Sequence, residues 1–170
     1  TGSNPIELDF GNKNHIYAAE ELLLCPENAG KDVVVIGGGL VGCETGLWLK
    51  RMGKNVTIVE ATPQILGGGA DMCFANYDML KDLLAFENIP VLCSTRVTAV
   101  DDNSVTVQSE KGEDKINADT VMLAVGYRPN AALYDELRGC GKEIYNIGDS
   151  RHVHNIMSAI WDAFQVAREL

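Results

Sequence analysis

Apolar positions along the chain switch between strand-like and helix-like spacing, and their order predicts an α/β protein. The continuous run Val33–Ile36 is β-branched, which is typical of a strand buried on both faces of a parallel sheet. A helix is predicted from Leu40 to about Met52, and a second buried strand at Val56–Val59. Strand, helix and strand in this order correspond to one right-handed βαβ unit.

The rest of the pattern extends this unit. A second helix is predicted at roughly Asp71–Glu87, and a further buried strand at Asp119–Ala124. Short alternating segments between them predict a small antiparallel meander: Val91–Cys93, Arg96–Val100, Ser104–Gln108 and Lys115–Ile116. The predicted fold class is therefore a Rossmann-like three-layer βαβ domain with a parallel sheet and a small antiparallel β-meander.

Three elements are predicted to flank this region. They are a helix at His15–Leu24, a short strand at Glu143–Ile147 and an amphipathic helix over about Asn155–Leu170.

Composition and charge exclude several classes of function. At 170 residues the chain has room for one full domain and part of another. The net charge of −10 argues against a nucleic-acid partner, because an acidic surface repels phosphate backbones. The apolar runs are strand-sized and far shorter than a membrane span, so no membrane association is expected.

The cysteines and histidines predict neither a metal site nor a redox pair. The five cysteines are scattered and form no Cys-x-x-Cys or zinc-ligand spacing. We expect them to be small buried thiols in a reducing cytoplasm. No order of serine, histidine and aspartate and no paired carboxylates indicate a hydrolase, so no catalytic residue is predicted.

The motif that indicates a function is a glycine loop between the first strand and the first helix. Its pattern is Gly37-x-Gly39-x-x-Gly42, with Gly38, Leu40 and Val41 at the intervening positions. In dinucleotide-binding folds the first glycine allows a tight turn, the second admits a pyrophosphate, and the third packs the helix on the strand. The helix N-terminus then offers N–H groups and a positive dipole end to the phosphates.

Two carboxylates accompany the loop. Glu60 ends the second strand, where a carboxylate accepts hydrogen bonds from the adenosine ribose hydroxyls and repels a 2′-phosphate. The residues that follow, from Ala61 to Gln64, supply no arginine for such a phosphate, which favours NAD(H) over NADP(H). Glu44 lies in the predicted first turn of the helix, where spacing alone indicates a structural charge.

Longer stretches resemble a known family. Val35–Glu44 is similar to the NAD-domain fingerprint of flavoprotein reductases that bind two dinucleotides. Asp119–Asn130 resembles the strand and turn that leave that domain, and Gly148-Asp149 resembles a later motif that contacts FAD. Together with Tyr145–Ala167, these motifs resemble the branch of old yellow enzyme-like proteins that contains 2-enoate reductase, bile-acid-inducible NADH:flavin oxidoreductases, 2,4-dienoyl-CoA reductase and trimethylamine dehydrogenase.

The resemblance implies an organisation and a set of binding residues. Residues 31–141 would form an NAD(H)-binding domain, and residues 1–30 and 142–170 would be return segments of a split FAD domain. A catalytic barrel with FMN and an iron–sulfur cluster would lie elsewhere in a longer parent protein. The resemblance also assigns Glu44 to the nicotinamide end of the site, and the predicted cofactor-binding residues further include Ala61, Ala124, Val125, Gly126, Gly148 and Asp149.

The predicted function is NADH docking for hydride transfer to a flavin, in a protein that reduces an enoate-type substrate. Two alternatives stay open. One is a structural nucleotide-binding module, such as ADP binding in a trimethylamine dehydrogenase-like flavoprotein. The other is a disulfide or peroxide reductase, against which the cysteine spacing argues.

The apolar face of the last helix would normally cover a flavin-domain sheet, so we expect it to be exposed, mobile or buried against a second copy.

Overall fold

The computed structural model describes residues 2–11, 13–69 and 72–170 of the chain. It forms two compact units, one of residues 7–125 and the other of residues 2–6 and 126–170. In chain order the strands are β1 Ser3–Pro5, β2 Ile16–Ala18, β3 Asp32–Ile36, β4 Asn55–Val59, β5 Val91–Leu92, β6 Arg96–Val100, β7 Ser104–Ser109, β8 Gly112–Asn117, β9 Thr120–Leu123 and β10 Tyr127–Pro129. The α-helices are α1 Ala19–Leu24, α2 Leu40–Arg51, α3 Phe74–Phe86, α4 Ala132–Leu137 and α5 Ile156–Glu169.

A five-stranded parallel sheet forms the middle layer of the larger unit. Its strand order is β2-β9-β3-β4-β5, with Val33 opposite Val56 on one side and Thr120 on the other. Successive residues of β3 point to opposite faces, so Val33 and Val35 pack in one core and Val34 and Ile36 in the other. This explains why the strand is apolar at four consecutive positions.

The two cores define the outer layers. On one face of the sheet α1, α2 and α3 contribute buried residues, including Leu22, Leu49 and Leu84. On the other face the antiparallel meander β6-β7-β8 contributes Val100, Val105 and Val107. The three-layer Rossmann-like prediction, with its parallel sheet and antiparallel meander, is confirmed.

Several boundaries differ from the sequence prediction. Val91–Leu92 pairs in parallel with β4 and belongs to the central sheet, not to the meander. The predicted helix His15–Leu24 begins instead as strand β2, because Ile16–Ala18 pair with β9 at the edge of the sheet. The helix predicted from Asp71 begins at Phe74, and Asp71 itself lies outside the described residues.

The unit that holds the sheet starts at Glu7 and ends at Val125. It therefore includes residues 7–30, which the sequence analysis assigned to a flanking segment, and it excludes residues 126–141, which were predicted to belong to the dinucleotide domain. The assignment of the flanking segments to a flavin domain stays a prediction.

The smaller unit pairs β1 with β10 in antiparallel fashion and carries α4 and α5. Glu143–Ile147, predicted to be a strand, has no partner strand within the described residues. Asn155 caps α5 with its side chain, which accepts a hydrogen bond from the Ser158 N–H at 2.9 Å. On the apolar face of that helix, Ile156, Ile160 and Phe164 are 81%, 61% and 60% exposed in the single chain, and burial of this face against a second copy stays a prediction.

Two further findings concern the whole described chain. Cys25, Cys73 and Cys140 are exposed, so the expectation of buried thiols was wrong for these three, whereas Cys43 is buried. Among the helices of the described ranges, none is long and apolar enough to cross a membrane.

Candidate functional site

The glycine loop lies at the carboxyl edge of the parallel sheet, where three strands end side by side. Gly37 follows β3, Glu60 follows β4 and Ala124 follows β9. Strands β4 and β9 lie on opposite sides of β3, so the strand order reverses beside this loop. In open α/β sheets, such a reversal leaves a crevice in which ligands bind.

Gly37 turns the chain sharply in a conformation that favours glycine. Its φ is +110°, and its N–H donates to the carbonyl of Val59 at 2.9 Å. A Cβ at this position would overlap the Ala124 carbonyl and lie 3.2 Å from the Val125 nitrogen. The protein itself therefore requires glycine here, whether or not a ligand is bound.

Gly42 allows helix α2 to pack against the start of the loop. A Cβ on Gly42 would overlap the Gly37 carbonyl oxygen and lie 3.2 Å from the Ala124 Cβ. The missing side chain lets the first turn of α2 approach both β3 and β9. This is the helix–strand packing that the motif predicts for its third glycine.

Gly39 differs from both of these glycines. It is the N-cap residue of α2, with an extended backbone (φ −71°, ψ −176°) that any residue adopts. A Cβ built there has no described atom within 4 Å. Neither strain nor packing requires glycine at this position, and the space beside it is open at the end of the helix.

That space suits a pyrophosphate. The first N–H groups of an α-helix lack partners within the helix, and the helix dipole places partial positive charge around them. Here they belong to the loop end of α2, beside the open space at Gly39. The residues present thus fit the phosphate part of a dinucleotide.

Glu60 is hydrogen-bonded directly to the loop. One carboxylate oxygen accepts from the Gly38 N–H at 2.6 Å, and the other accepts from the Thr62 N–H at 2.7 Å. The side chain is half-buried, and its neighbour Ala61 is exposed. Each oxygen retains a free lone pair, so a fixed carboxylate can still accept hydrogen bonds from ribose hydroxyls.

The Gly38 carbonyl is held by groups that the sequence prediction missed. The Leu66 N–H donates to it at 2.7 Å, and the Cys43 thiol donates at 3.4 Å. Leu66 is buried and has a φ of +58°, in the left-handed region that non-glycine residues rarely adopt. Its segment, Ile65–Gly69, forms a short 3₁₀ turn. The run of three glycines after Leu66 is the sequence signal that could have indicated a turn here.

The Cys43 thiol stays protonated in this environment. Burial raises its pKa to about 12, and the negative charge of Glu60 contributes to the same shift. A protonated thiol is a hydrogen-bond donor and a poor nucleophile, so Cys43 is suited to packing and weak hydrogen bonding.

The other predicted binding residues lie in different places. Ala124 and Val125 border Gly37 in the larger unit. Glu44 is exposed at the fifth residue of α2, so it lies in the second turn and not in the first. The predicted and the observed helix both begin at Leu40, and the first turn ends before Glu44, so the assignment of Glu44 to that turn was wrong.

Gly126, Gly148 and Asp149 belong to the smaller unit. Gly148 has a φ of +63° and donates its N–H to the Asp162 carboxylate on α5 at 3.1 Å. Asp149 accepts from the His154 N–H at 3.2 Å. Their role in flavin binding stays a prediction.

Within the described parts of the chain, no group of three or more histidine, cysteine, aspartate or glutamate residues could hold a metal ion. The site therefore consists of backbone donors at a helix end, one carboxylate at a strand end, and glycines that keep the space between them open.

The comparison with protein families matches this arrangement. Residues 1–148 match the model of the pyridine nucleotide-disulphide oxidoreductase family. The chain belongs to this family. Membership implies binding of FAD or NAD(P).

Individual relatives are oxidoreductases. The chain is 44% identical over its full length to cinnamate reductase of Clostridium sporogenes, and covers 26% of that protein. It is 32% identical over 157 residues, 92% of its length, to bilirubin reductase of Mediterraneibacter gnavus, and covers 24% of it. It is 34% identical to NADH oxidase of Thermoanaerobacter brockii, again over its full length, and covers 27% of it.

These matches confirm the resemblance to enoate-type flavoprotein reductases. The chain spans about a quarter of the length of these relatives. Among solved structures, 2-naphthoyl-CoA reductase superposes with a TM-score of 0.87 over 99% of the chain and 26% of the other protein. At 23% identity, this likeness shows the fold.

Proposed function

We propose that this chain is the NADH-binding domain of a multidomain NADH:flavin oxidoreductase. It binds NADH at the glycine loop and presents the nicotinamide to a flavin held by other domains of the parent protein. The flavin then serves reduction of an enoate-type substrate elsewhere in that protein.

The observation that carries the proposal is the contrast among the three motif glycines. Gly37 and Gly42 are required by contacts within the protein, whereas Gly39 borders open space and has an ordinary backbone conformation. A ligand that approaches the backbone at Gly39 accounts for its lack of a side chain. The adjacent end of α2 offers N–H donors, so this ligand is expected to be a phosphate group.

Glu60 supports NADH over NADPH. Both carboxylate oxygens are fixed by backbone N–H groups, which orients the side chain for two vicinal ribose hydroxyls. A 2′-phosphate would meet this negative charge. No lysine or arginine lies between Ala61 and Gln64 to offset the repulsion.

The chain's own part in the reaction is to bind and to orient. The nicotinamide supplies the hydride, and the protein sets its position and electrostatic surroundings. Glu44, exposed on α2, would face the nicotinamide end by its resemblance to related reductases. No residue of the chain is assigned the role of acid, base or nucleophile.

Relatives with comparable segments support the flavoprotein context. The 44% identity to cinnamate reductase extends over all 170 residues, which favours an α,β-unsaturated acid as the substrate class of the parent protein. FAD in the parent, and FMN and an iron–sulfur cluster outside this chain, are part of the same proposal.

Calorimetry with NADH, NADPH and ADP tests the proposal. We expect NADH to bind more tightly than ADP, because the nicotinamide half adds contacts, and more tightly than NADPH because of Glu60. Equal affinities for NADH and ADP would instead favour a structural nucleotide-binding module of the trimethylamine dehydrogenase type. Tighter binding of NADPH would contradict the role given to Glu60.

A second assay tests the assignment of the chemistry to other domains. The isolated chain should bind the nucleotide without reducing an enoate when NADH is present and no flavin is added. Turnover under those conditions would contradict the proposal.

A further inference from the structure

The Gly38–Gly39 peptide unit is fixed from inside the protein. Its carbonyl oxygen accepts hydrogen bonds from the Leu66 N–H at 2.7 Å and from the Cys43 thiol at 3.4 Å. Cys43 is fully buried and lies one turn into α2, directly beneath the loop. Leu66 is 7% exposed and is anchored in the helix-side core.

A trans peptide unit is planar, and its C=O and N–H bonds point in opposite directions. The C=O of this unit belongs to Gly38 and the N–H to Gly39. Because the carbonyl is turned towards Cys43 and Leu66, the Gly39 N–H is turned away from the core. A Cβ built at Gly39 has no described atom within 4 Å, so there is open space beside this residue.

We propose that Cys43 is a positioning residue for pyrophosphate binding: its thiol, together with the Leu66 N–H, holds the Gly38 carbonyl inward and thereby aims the Gly39 N–H at the phosphates. This inference rests on the proposed function, since it concerns the phosphate part of the same site. It assigns to Cys43 a role beyond filling space in the core.

The chemistry of Cys43 suits such a role. Burial keeps its pKa near 12, so the thiol carries its proton throughout the physiological range and remains a donor. The thiol contact is weaker than an N–H···O hydrogen bond, and the Leu66 N–H provides the shorter of the two contacts. Both donors contact the same carbonyl oxygen, so the thiol adds to the restraint that the Leu66 N–H places on rotation of this peptide.

Three variants separate the hydrogen bond from packing. Cys43→Ser keeps a donor, Cys43→Val fills the site with apolar atoms and has no donor, and Cys43→Ala removes both the donor and the packing of the sulfur. Titrations of the ¹⁵N-labelled chain with ADP and with adenosine give dissociation constants, and the Gly39 amide resonance reports the peptide directly. Thermal unfolding of each variant shows whether it is folded.

We expect Cys43→Val and Cys43→Ala to bind ADP about three- to fivefold more weakly, the effect of losing one weak hydrogen bond. Cys43→Ser should bind ADP within about twofold of the unmodified chain, and adenosine binding should be the same in all variants. The Gly39 amide resonance should shift in the valine and alanine variants before any ligand is added. If the serine variant does not fold, equal losses of ADP affinity in the valine and alanine variants relative to the unmodified chain still indicate the donor, because both variants lack it and they differ in packing.

Two outcomes would overturn the inference: ADP affinity unchanged in Cys43→Val, or equal losses for ADP and adenosine, which would indicate a general change of the site. The proposed function fails in a different way, by normal ADP binding with no gain in affinity for NADH. The two failures are therefore distinguishable in the same set of proteins.

Discussion

The Glu60 carboxylate and the Gly38 N–H are joined by a hydrogen bond of 2.6 Å, which ties the end of β4 to the glycine loop after β3. The residue predicted to bind ribose therefore also shapes the loop predicted to bind pyrophosphate. Thr62 donates to the second carboxylate oxygen at 2.7 Å, so the side chain is held at both oxygens. The two parts of the proposed nucleotide site are therefore joined by hydrogen bonds.

Substitution of Glu60 should therefore weaken binding through both parts. Glu60→Gln removes the charge that accepts from Gly38 and from the ribose. We expect NADH to bind about 10- to 100-fold more weakly, since a hydrogen bond to a charged group contributes roughly 1.5–3 kcal/mol. NADPH should lose less affinity, because the variant no longer repels the 2′-phosphate. Calorimetry with both nucleotides measures the two changes.

Glu113→Gln is a matched control for this prediction, because it makes the same change at an exposed position on the meander strand β8. It should leave both affinities unchanged. An unchanged ratio of NADPH to NADH affinity in Glu60→Gln would contradict the assignment of Glu60 to the ribose.

The glycines of the loop should separate into structural and ligand-facing residues. Gly42→Ala forces a methyl group onto the Gly37 carbonyl, and we expect it to lower the free energy of unfolding by about 1–3 kcal/mol or more. Gly39→Ala meets no described atom within 4 Å. Alanine is a less favourable N-cap residue than glycine, which lowers stability, but it also makes the unfolded chain less flexible, which raises stability. The free energy of unfolding should therefore change by no more than about 1 kcal/mol.

Nucleotide binding should respond to Gly39→Ala although the fold does not. A methyl group in the phosphate space should weaken ADP binding by at least about tenfold, equal to roughly 1.4 kcal/mol. Urea unfolding and ADP calorimetry on the same samples make the comparison. A Gly39→Ala variant that binds ADP normally would mean that no phosphate approaches this residue.

Periodicity and motif spacing predicted the central fold because the signals there are local. Val33–Ile36 is apolar at consecutive positions, and the glycine spacing follows it directly. Glu60 was identified by its distance along the chain from the loop. A strand that is buried on both faces and the single turn that follows it are both encoded within a short stretch of sequence, so local patterns predicted them.

The contacts that complete the site depend on distant pairings. The Leu66 N–H donates to the carbonyl of Gly38, which lies 28 positions earlier in the chain. This contact requires a positive φ at Leu66, a conformation that leucine rarely adopts. Ile16–Ala18 forms a strand because β9 lies beside it, although the window around it has helical spacing. Glu143–Ile147 has the composition of a strand without a partner among the described strands. In each case tertiary pairing, and not local preference, decides the conformation.

The exposed apolar face of α5 should make the isolated chain bind hydrophobic probes. Ile160 and Phe164 are 61% and 60% exposed on that face. The double variant Ile160→Glu, Phe164→Glu should lower fluorescence of bound anilinonaphthalene sulfonate and reduce any self-association seen by light scattering. Gln165→Glu, on an exposed position of the same helix, is the control for added charge. Equal probe binding by the double variant and the unmodified chain would show that another surface binds the probe.

Asp119 should make the stability of the sheet sensitive to acid. Burial raises the pKa of its carboxyl, but hydrogen bonds from the Asp32 and Lys31 N–H groups and from the Thr120 hydroxyl outweigh this, and the net pKa is lowered below 3.8. A carboxyl whose pKa is lower in the folded state favours folding when it is ionised. Its contribution is therefore complete above the unfolded-state pKa of about 4 and is lost as the pH falls through the folded-state value.

Asp119→Asn should accordingly lower stability at neutral pH and flatten its decline below about pH 4. Urea unfolding at several pH values between 2.5 and 7, roughly the range over which carboxyl groups titrate, measures both effects. Asp82→Asn changes an exposed position on α3 and should not alter the dependence of the free energy of unfolding on pH. Because the Asp119 carboxylate joins the start of β3 to the start of β9, its protonation should loosen the sheet edge opposite the glycine loop. If the free energies of unfolding of Asp119→Asn and of the unmodified chain changed with pH in parallel, these hydrogen bonds would be equally strong to the ionised and to the protonated carboxyl.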